Sequence, residues 1–276
     1  MLKVFSELTK LKQVVVCWPG YFEIIEAIDS TQEYFFKTNP PKKDKLIREH
    51  MAFCDTLRSH GISLEFTPPK QGCPYQLFTR DVGFIIGDYL YISRMAKDLR
   101  RKEEEVFIGL AQDSDWSFLK LTEESIEGGD ICVIDNIVLV GIGDRTSLQA
   151  CNDLTANLSS RFKVITVCIQ PGICHLDTVF SILPRRVILY YPKGLVDNVP
   201  AELKNYEIVE VTEAEMRGMA CNVLTISEDV VISQERHERL NVILSNKSIE
   251  VSPVKLEEIA KLGGGPRCLV LPLETY

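Results

Sequence analysis

The sequence has no pair of cysteines in the C-x-x-C spacing, although nine cysteines are spread along its 276 residues. Their odd number and scattered positions argue against a disulfide framework and against a structural zinc site built from paired thiolates. Reduced thiols are typical of a cytosolic protein, so we expect a cytoplasmic location.

Long apolar segments are also missing. The first residues, MLKVFSELTKLK, lack the apolar region of a signal peptide, and the apolar run at residues 131–143 is interrupted by Asp135 and Asn136. We therefore expect neither secretion nor a membrane span.

Basic residues are in the minority: 31 Lys and Arg face 39 Asp and Glu, for a formal net charge of −8. A field of that sign repels nucleic-acid phosphates and anionic lipids, so we expect no nucleic acid and no membrane as partners and favour a small cation. No linker rich in proline, glycine or serine divides the chain, and we expect residues 1–276 to form a single domain.

One pattern recurs along the chain, in which a polar residue precedes two short apolar strands around a turn. These polar residues are spaced 45 to 49 positions apart, a period typical of a propeller or a similar array. They are Asp81, Asp130, Asp177 and Asn222. One further step leads to Cys268, which precedes only a single apolar strand before the chain ends.

The two termini each contribute one unpaired strand, residues 12–17 and 268–273. Since an open strand edge is a liability, we predict that these strands pair and close a ring. A helix and often a third strand follow each hairpin, and helices are predicted over 43–59 and 253–262. The expected fold class is α/β, with five ββαβ repeats around one axis.

The aligned polar residues should surround one end of that axis, because equivalent positions of a repeat lie at equivalent radius. Glu127 and His175 stand just upstream of two of them, so four carboxylates, one histidine and one thiol converge. Such a cluster needs a cation, either a metal ion or a planar guanidinium. A guanidinium suits several carboxylates and has a carbon that a thiolate can attack, so it also accounts for the cysteine.

Five motifs resemble those of a known family: FTRD (78–81), IEGGD (126–130), GDRTS (143–147), HLDTVF (175–180) and GGGPRC (263–268). In this order they are similar to the guanidine-modifying enzymes of the pentein fold, which include arginine deiminases, dimethylarginine dimethylaminohydrolases and amidinotransferases. The resemblance implies a five-bladed α/β propeller. The chemistry it implies needs no cofactor and no metal.

The same resemblance implies roles for individual residues. Cys268 would be the nucleophile and His175 the general acid and base, with Glu127 orienting the histidine. Asp81, Glu127 and Asp177 would hold the nitrogens of the guanidinium.

Two more residues have two interpretations each. Asp130 either binds substrate or supports the glycine bend before it, and Arg145 either contacts the substrate's α-carboxylate or caps its own loop. Gly263 occupies the place where many deiminases have an arginine that binds this carboxylate. The identity of the arginine derivative that serves as substrate is therefore left open. The charged run at 100–105 is expected to be a solvated helix face.

The function expected is hydrolysis at the guanidino carbon of arginine or an Nω-substituted arginine, through a covalent cysteine-amidino intermediate. The products would be of the citrulline type, together with ammonia or an amine. An amidinotransferase would use the same residues with an amine acceptor, and a non-enzymatic pentein would bind a partner instead. The expected partner is a small cationic guanidino substrate, and a homodimer is left open.

Overall fold

The computed structural model of the chain describes residues 2–121 and 123–276. The strands are β1 (Leu11–Cys17), β2 (Ser63–Thr67), β3 (Gly83–Ile86), β4 (Tyr89–Ile92), β5 (Phe118–Leu119), β6 (Ile131–Ile134), β7 (Ile137–Ile142), β8 (Lys163–Cys168), β9 (Phe180–Leu183), β10 (Val187–Tyr190), β11 (Glu207–Glu210), β12 (Leu224–Thr225), β13 (Val230–Gln234), β14 (Glu250–Val254) and β15 (Leu271–Thr275). The α-helices are α1 (Ser30–Thr38), α2 (Lys43–Ser59), α3 (Arg101–Asp113), α4 (Leu148–Asn157), α5 (Glu213–Arg217), α6 (Glu238–Asn246) and α7 (Glu257–Ala260).

These strands form five three-stranded sheets, which confirm the expected α/β propeller with five repeats. The sheets are β15–β1–β2, β3–β4–β5, β6–β7–β8, β9–β10–β11 and β12–β13–β14. In each sheet the first two strands are antiparallel, and the third runs parallel to the middle strand. A parallel return requires a crossover connection, which explains the helix of the ββαβ unit.

The fourth repeat departs from this pattern. Between β10 and β11 the chain forms only a short 3₁₀ turn, Ala201–Leu203, where the other four repeats have an α-helix. Pro192 and Pro200 lie in this connection, and proline within a helix removes a backbone donor and clashes with the preceding turn.

The ring is closed by the two terminal strands, as predicted. In the antiparallel pair of β1 and β15, Val14 lies opposite Pro272 and Val15 lies opposite Leu271. The strand begins at Leu271 and not at residue 268, so Cys268 lies in the turn that leads into β15.

A 3₁₀ turn precedes three of the other four hairpins. The 3₁₀ turns Thr79–Val82, Gly128–Asp130 and Leu176–Thr178 lead into β3, β6 and β9. Because these turns occupy the same place in each repeat, they bring their polar side chains to one end of the ring.

The predicted helices agree with the structure in one case and not in the other. Helix α2 has the predicted bounds and ends before Gly61, whose φ of +74° ends the helix. The helix predicted over 253–262 was wrong, since Pro253 belongs to strand β14 and only Glu257–Ala260 is α-helical. Strand β14 is the edge of its sheet, a position where proline is tolerated.

Buried apolar side chains fill the space between sheets and helices. In one cluster, Val14 and Val16 of β1 pack with Leu46, Phe53 and Leu57 of α2. Among the described residues, no helix is both long enough and apolar enough to cross a membrane.

Candidate active site

The aligned polar residues meet at one end of the ring. Cys268 Sγ lies 3.0 Å from Asn222 Nδ2 and 3.7 Å from Asp177 Oδ2. Asp81 Oδ1 lies 3.5 Å from His175 Nδ1. All five side chains are buried. The structure thus brings the predicted thiol, imidazole and two carboxylates into one small, largely dry volume.

Asn222 holds the turn that carries the thiol. Its Oδ1 accepts hydrogen bonds from the backbone N–H groups of Gly265, Arg267 and Cys268, at 3.0–3.1 Å. A single buried amide therefore fixes three backbone groups and, through Nδ2, contacts the sulfur. The repeat predicted the position of Asn222, but sequence reasoning assigned it no role at the site.

The thiol and the imidazole are both protonated in the resting protein. Burial and the nearby carboxylates of Asp177 and Asp81 raise the pKa of Cys268 well above its ordinary value. Burial alone would lower the pKa of His175, but Cys174 and the carboxylates of Asp81 and Glu127 outweigh it and hold this pKa well above its ordinary value. Cys174 Sγ lies 3.4 Å from His175 Nδ1, and burial raises the pKa of the Cys174 thiol.

Glu127 is fully buried and contacts three groups. Its Oε2 accepts hydrogen bonds from His175 Nε2 at 2.8 Å and from Arg145 Nη1 at 3.2 Å, and its Oε1 accepts one from the backbone N–H of Ala96 at 2.9 Å. Burial alone would raise the pKa of Glu127, but Arg145 and His175 lower it to about 2. Glu127 is therefore an anion that orients the imidazole ring.

Two glycines of the IEGGD motif allow this close approach. A Cβ on Gly128 would lie 2.1 Å from the carbonyl oxygen of Arg80, and a Cβ on Gly129 would lie 2.6 Å from His175 Cγ. Any side chain at these two positions would displace either the neighbouring turn or the histidine.

Asp81 and Asp177 each lie beside an arginine. Asp81 Oδ2 accepts a hydrogen bond from Arg100 Nη1 at 2.6 Å, and Asp177 Oδ2 lies 3.5 Å from Arg267 Nε. Asp81 Oδ1 is buried and has no hydrogen-bond partner in the part of the chain that the structure describes. This oxygen lies 3.5 Å from His175 Nδ1 and can still accept a hydrogen bond from a ligand.

The assignment of residues 100–105 to a solvated face was wrong for Arg100, Glu103 and Glu104, which are buried; the other three residues are exposed as expected. Arg100 and Glu103 are each 1% exposed, and Arg100 Nη2 pairs with Glu103 Oε2 at 2.8 Å while Nη1 contacts Asp81. Together with Phe107 and Leu110 these residues follow the spacing of one buried helix face. That periodicity was present in the sequence and could have identified Arg100 as an inward-facing residue.

Asp130 lies next to the site, but both of its oxygens are bound within the protein. Oδ1 accepts a hydrogen bond from the backbone N–H of Leu176 at 2.8 Å, and Oδ2 accepts one from Thr146 Oγ1 at 2.6 Å. Burial raises the pKa of Asp130 to about 7. Asp130 thus ties its own repeat to the turn that follows His175.

Arg145 connects Glu127 to the segment before α1. Its Nη1 contacts Glu127, and its Nη2 donates to the carbonyl oxygen of Ile28 at 2.9 Å. These contacts use two of its three nitrogens. The expected contact between Arg145 and a substrate carboxylate remains a prediction.

Three side chains at the site could hold a metal ion. One ligand atom each from Asp81, Glu127 and His175 lies within 4.8 Å of the others. Two of these groups already have a cationic neighbour, because Arg100 pairs with Asp81 and Arg145 pairs with Glu127. The metal-free chemistry expected from the sequence remains a prediction.

Similarity to known proteins agrees with this geometry. The family described as N,N dimethylarginine dimethylhydrolase, eukaryotic, matches residues 19–275. The chain belongs to this family. This membership confirms the resemblance to the guanidine-modifying enzymes of the pentein superfamily, and it places the chain among pentein guanidino-group hydrolases.

Individual family relatives differ in how much of the chain they share. YkgA, an uncharacterized protein of Bacillus subtilis, is 33% identical over 269 residues, which cover 97% of this chain and 93% of that protein. The bifunctional arginine dihydrolase/ornithine cyclodeaminase AgrE of Nostoc sp. is 24% identical over 273 residues, and the chain spans 38% of its length. The structure of a Pseudomonas aeruginosa DDAH mutant complexed with citrulline has a TM-score of 0.83 at 19% identity, covering 95% of this chain and 99% of that one. At this identity the structural similarity shows a common fold.

Proposed function

We propose that this chain is a cysteine-dependent hydrolase that acts on the guanidino carbon of arginine or an Nω-substituted arginine. The products would be a citrulline-type compound and ammonia or an amine. The observation that carries the proposal is the buried Cys268 thiol, which lies beside Asp177 and shares a small volume with the His175–Glu127 pair and the open oxygen of Asp81. A Cys–His pair alone does not require an acidic lining, whereas a guanidinium does.

Binding of the guanidinium would activate the nucleophile. Its planar N–H groups can donate to Asp81 and Asp177, with Glu127 behind the imidazole as a third anion. The positive charge would offset the carboxylates that now raise the pKa of Cys268, so the thiol would release its proton to solvent and the thiolate would form where the guanidino carbon lies.

The thiolate of Cys268 attacks the guanidino carbon and forms a C–S bond. His175, an imidazolium held by Glu127, donates a proton to the departing nitrogen as its C–N bond breaks, and ammonia or the amine leaves. Water then attacks the amidino carbon, the now neutral imidazole accepts its proton, and cleavage of the C–S bond yields the ureido product and the free cysteine.

Other residues of the site are assigned positioning roles in this proposal. Asn222 would hold the turn of Cys268, and Asp130 would hold the turn that follows His175. Arg145 would keep Glu127 ionised, and its remaining N–H donors would be available to a substrate carboxylate. We propose that residues 1–276 act as one domain.

The proposal is tested by incubating the purified protein with arginine, Nω-methylated arginines and agmatine, without an amine acceptor. We expect ureido product and released amine in equal amounts, with no loss of activity in chelator and complete loss in Cys268→Ser. Product that appears only when an amine acceptor is added would show an amidinotransferase. No turnover of any guanidine by the folded protein would contradict an enzymatic role.

A further inference from the structure

Asp29 is a half-buried acidic residue near this site that the proposed chemistry does not use. It caps helix α1, and its Oδ1 accepts a hydrogen bond from the backbone N–H of Gln32 at 2.9 Å. The other oxygen, Oδ2, is itself buried, and residues 2–121 and 123–276 provide it with no hydrogen-bond partner. An unpaired buried carboxylate oxygen costs free energy that a bound donor would recover.

Several contacts place Asp29 beside the candidate active site. A Cβ on Gly263, in the glycine loop before the nucleophile, would lie 2.8 Å from Asp29 Oδ2. The adjacent residue Ile28 accepts a hydrogen bond from Arg145 with its carbonyl oxygen. Burial raises the pKa of Asp29, and the charges of Arg145 and His175 offset part of this effect, so both groups lie within electrostatic reach.

The charges at this end of the site favour a cation as the ligand group. Among the described residues, no basic side chain comes within 4.0 Å of the Asp29 carboxylate, and Arg145 is instead paired with Glu127. Gly263 contributes no side chain, and its φ of +80° disfavours one. A ligand that extends from the guanidinium carboxylates towards Asp29 would therefore meet an anion with an open oxygen.

We propose that Asp29 is a specificity-determining residue that accepts a hydrogen bond from a primary ammonium group at the far end of the guanidino substrate. The inference rests on the proposed function and narrows its substrate class. Guanidines that carry an ammonium group, such as arginine and agmatine, are favoured over guanidines that end in a carboxylate alone.

The chain offers a conservative variant for the test. Asparagine is as good a helix N-cap as aspartate, so Asp29→Asn keeps the cap of α1 and removes only the charge. Glu33→Gln is the matched control, because it removes one carboxylate from the same helix at a side chain that is 62% exposed and pairs with Lys37.

Binding is measured by calorimetry in the Cys268→Ser background, where turnover is blocked. The ligands are arginine, agmatine and 5-guanidinopentanoate, which is arginine without its ammonium group. We expect Asp29→Asn to weaken arginine and agmatine binding about tenfold or more and to leave 5-guanidinopentanoate unaffected, while Glu33→Gln changes none of the three. Equal weakening of all three ligands, or of none, would overturn the assignment; the latter result would mean that solvent satisfies Oδ2.

The two proposals fail in different ways. Hydrolysis by the unmodified protein together with Asp29-independent binding overturns the role of Asp29 and leaves the hydrolase proposal intact. Asp29-dependent binding of the ammonium ligands without any hydrolysis overturns the hydrolase proposal alone. If none of the three ligands binds the Cys268→Ser protein, the role of Asp29 is overturned as well.

Discussion

The thiolate of Cys268, the proposed nucleophile, is disfavoured in the resting protein, and the neighbours of this residue explain why. Burial and the carboxylates of Asp177 and Asp81 keep the sulfur protonated, while His175 beside Glu127 is already charged and cannot take the proton. A cation bound among the carboxylates favours the thiolate, whereas a neutral ligand does not. The site should therefore discriminate strongly in favour of charged guanidines.

Two aspartates of the ring should differ in their effect on catalysis. Asp177→Asn removes a charge beside the thiol, and we expect kcat/KM to fall by about 10- to 100-fold, the range for losing a hydrogen bond to a charged group. Asp130→Asn should change kcat/KM by only a few fold, because an amide can still accept from Leu176 and can donate to Thr146 Oγ1. Steady-state kinetics on both variants decides the matter. Equal losses would place Asp130 among the substrate ligands.

Asp130 should also leave a signature in the pH dependence of stability. Its pKa is raised to about 7 in the folded protein by burial, so between about pH 4 and 7 the folded state binds more protons at this group than the unfolded state does. Ionisation of Asp130 therefore lowers stability as the pH rises through this window, by up to about 1.4 kcal/mol per pH unit. Urea titrations at several pH values should show Asp130→Asn gaining stability relative to wild type as the pH rises. Parallel curves would disprove the shift.

The sequence could identify Cys268, His175 and Glu127 as neighbours because each lies at the repeated position or just upstream of it, and because the motifs are specific. The pairing of Arg100 with Asp81 depends on how α3 docks against the ring, which the repeat does not encode. The hydrogen bonds of Asn222 likewise depend on the path of the turn before β15. Contacts of this kind follow from three-dimensional packing and cannot be predicted from sequence motifs.

The turns before the hairpins are the elements that build the site, and the turn at Gly128–Asp130 leaves no room for a side chain at either of its glycines. In Gly129→Ala the new methyl group would lie 2.6 Å from His175 Cγ, so the ring must move. We expect kcat to fall by about 100-fold, as a displacement near 1 Å can produce, while circular dichroism shows a folded protein.

Gly109→Ala is the control for this variant. Gly109 lies in α3, and a Cβ there would meet no atom within 4 Å, so the change should leave activity intact and stabilise the helix by about 0.5–1 kcal/mol. If Gly129→Ala retains the activity of Gly109→Ala, the histidine is not held by the close approach of that turn.

Hairpins were more predictable than the connections between them. Alternating apolar strands around a tight turn are a local signal, so β3–β4 and β6–β7 follow directly from the sequence. Whether a crossover connection forms a helix depends both on the helix propensity of its residues and on the route that the chain must take to reach the third strand of the sheet. For this reason the sequence pattern predicted that Pro253 begins a helix. In the structure Pro253 pairs with Ser233 of the parallel strand β13 and belongs to β14.

The closed ring makes the two termini part of one core. Leu271 and Leu273 of β15 pack with Val15 of β1 and with Val82 and Ile85 near β3. Leu271→Ala should therefore lower the free energy of unfolding by about 2–5 kcal/mol, while Leu148→Ala, at a side chain that is 56% exposed, should change it by about 0.5 kcal/mol or less.

The cooperativity of unfolding in urea also tests whether the ring is a single folding unit. Because the terminal strands join the first and last repeats, we expect fluorescence and circular dichroism to report one coincident transition in urea. Two separated transitions would show that residues 1–276 do not behave as a single domain.

Intact-protein mass spectrometry after mixing with arginine tests most directly whether Cys268 is the nucleophile. The His175→Ala protein should accumulate a covalent adduct with the mass of the substrate less its leaving amine, because attack can proceed and solvent can protonate the departing amine, but the water that resolves the adduct lacks its base. Peptide mapping should place the adduct on Cys268, and Cys268→Ser should show none. An adduct on another cysteine, or one that persists in Cys268→Ser, would contradict the assignment of the nucleophile.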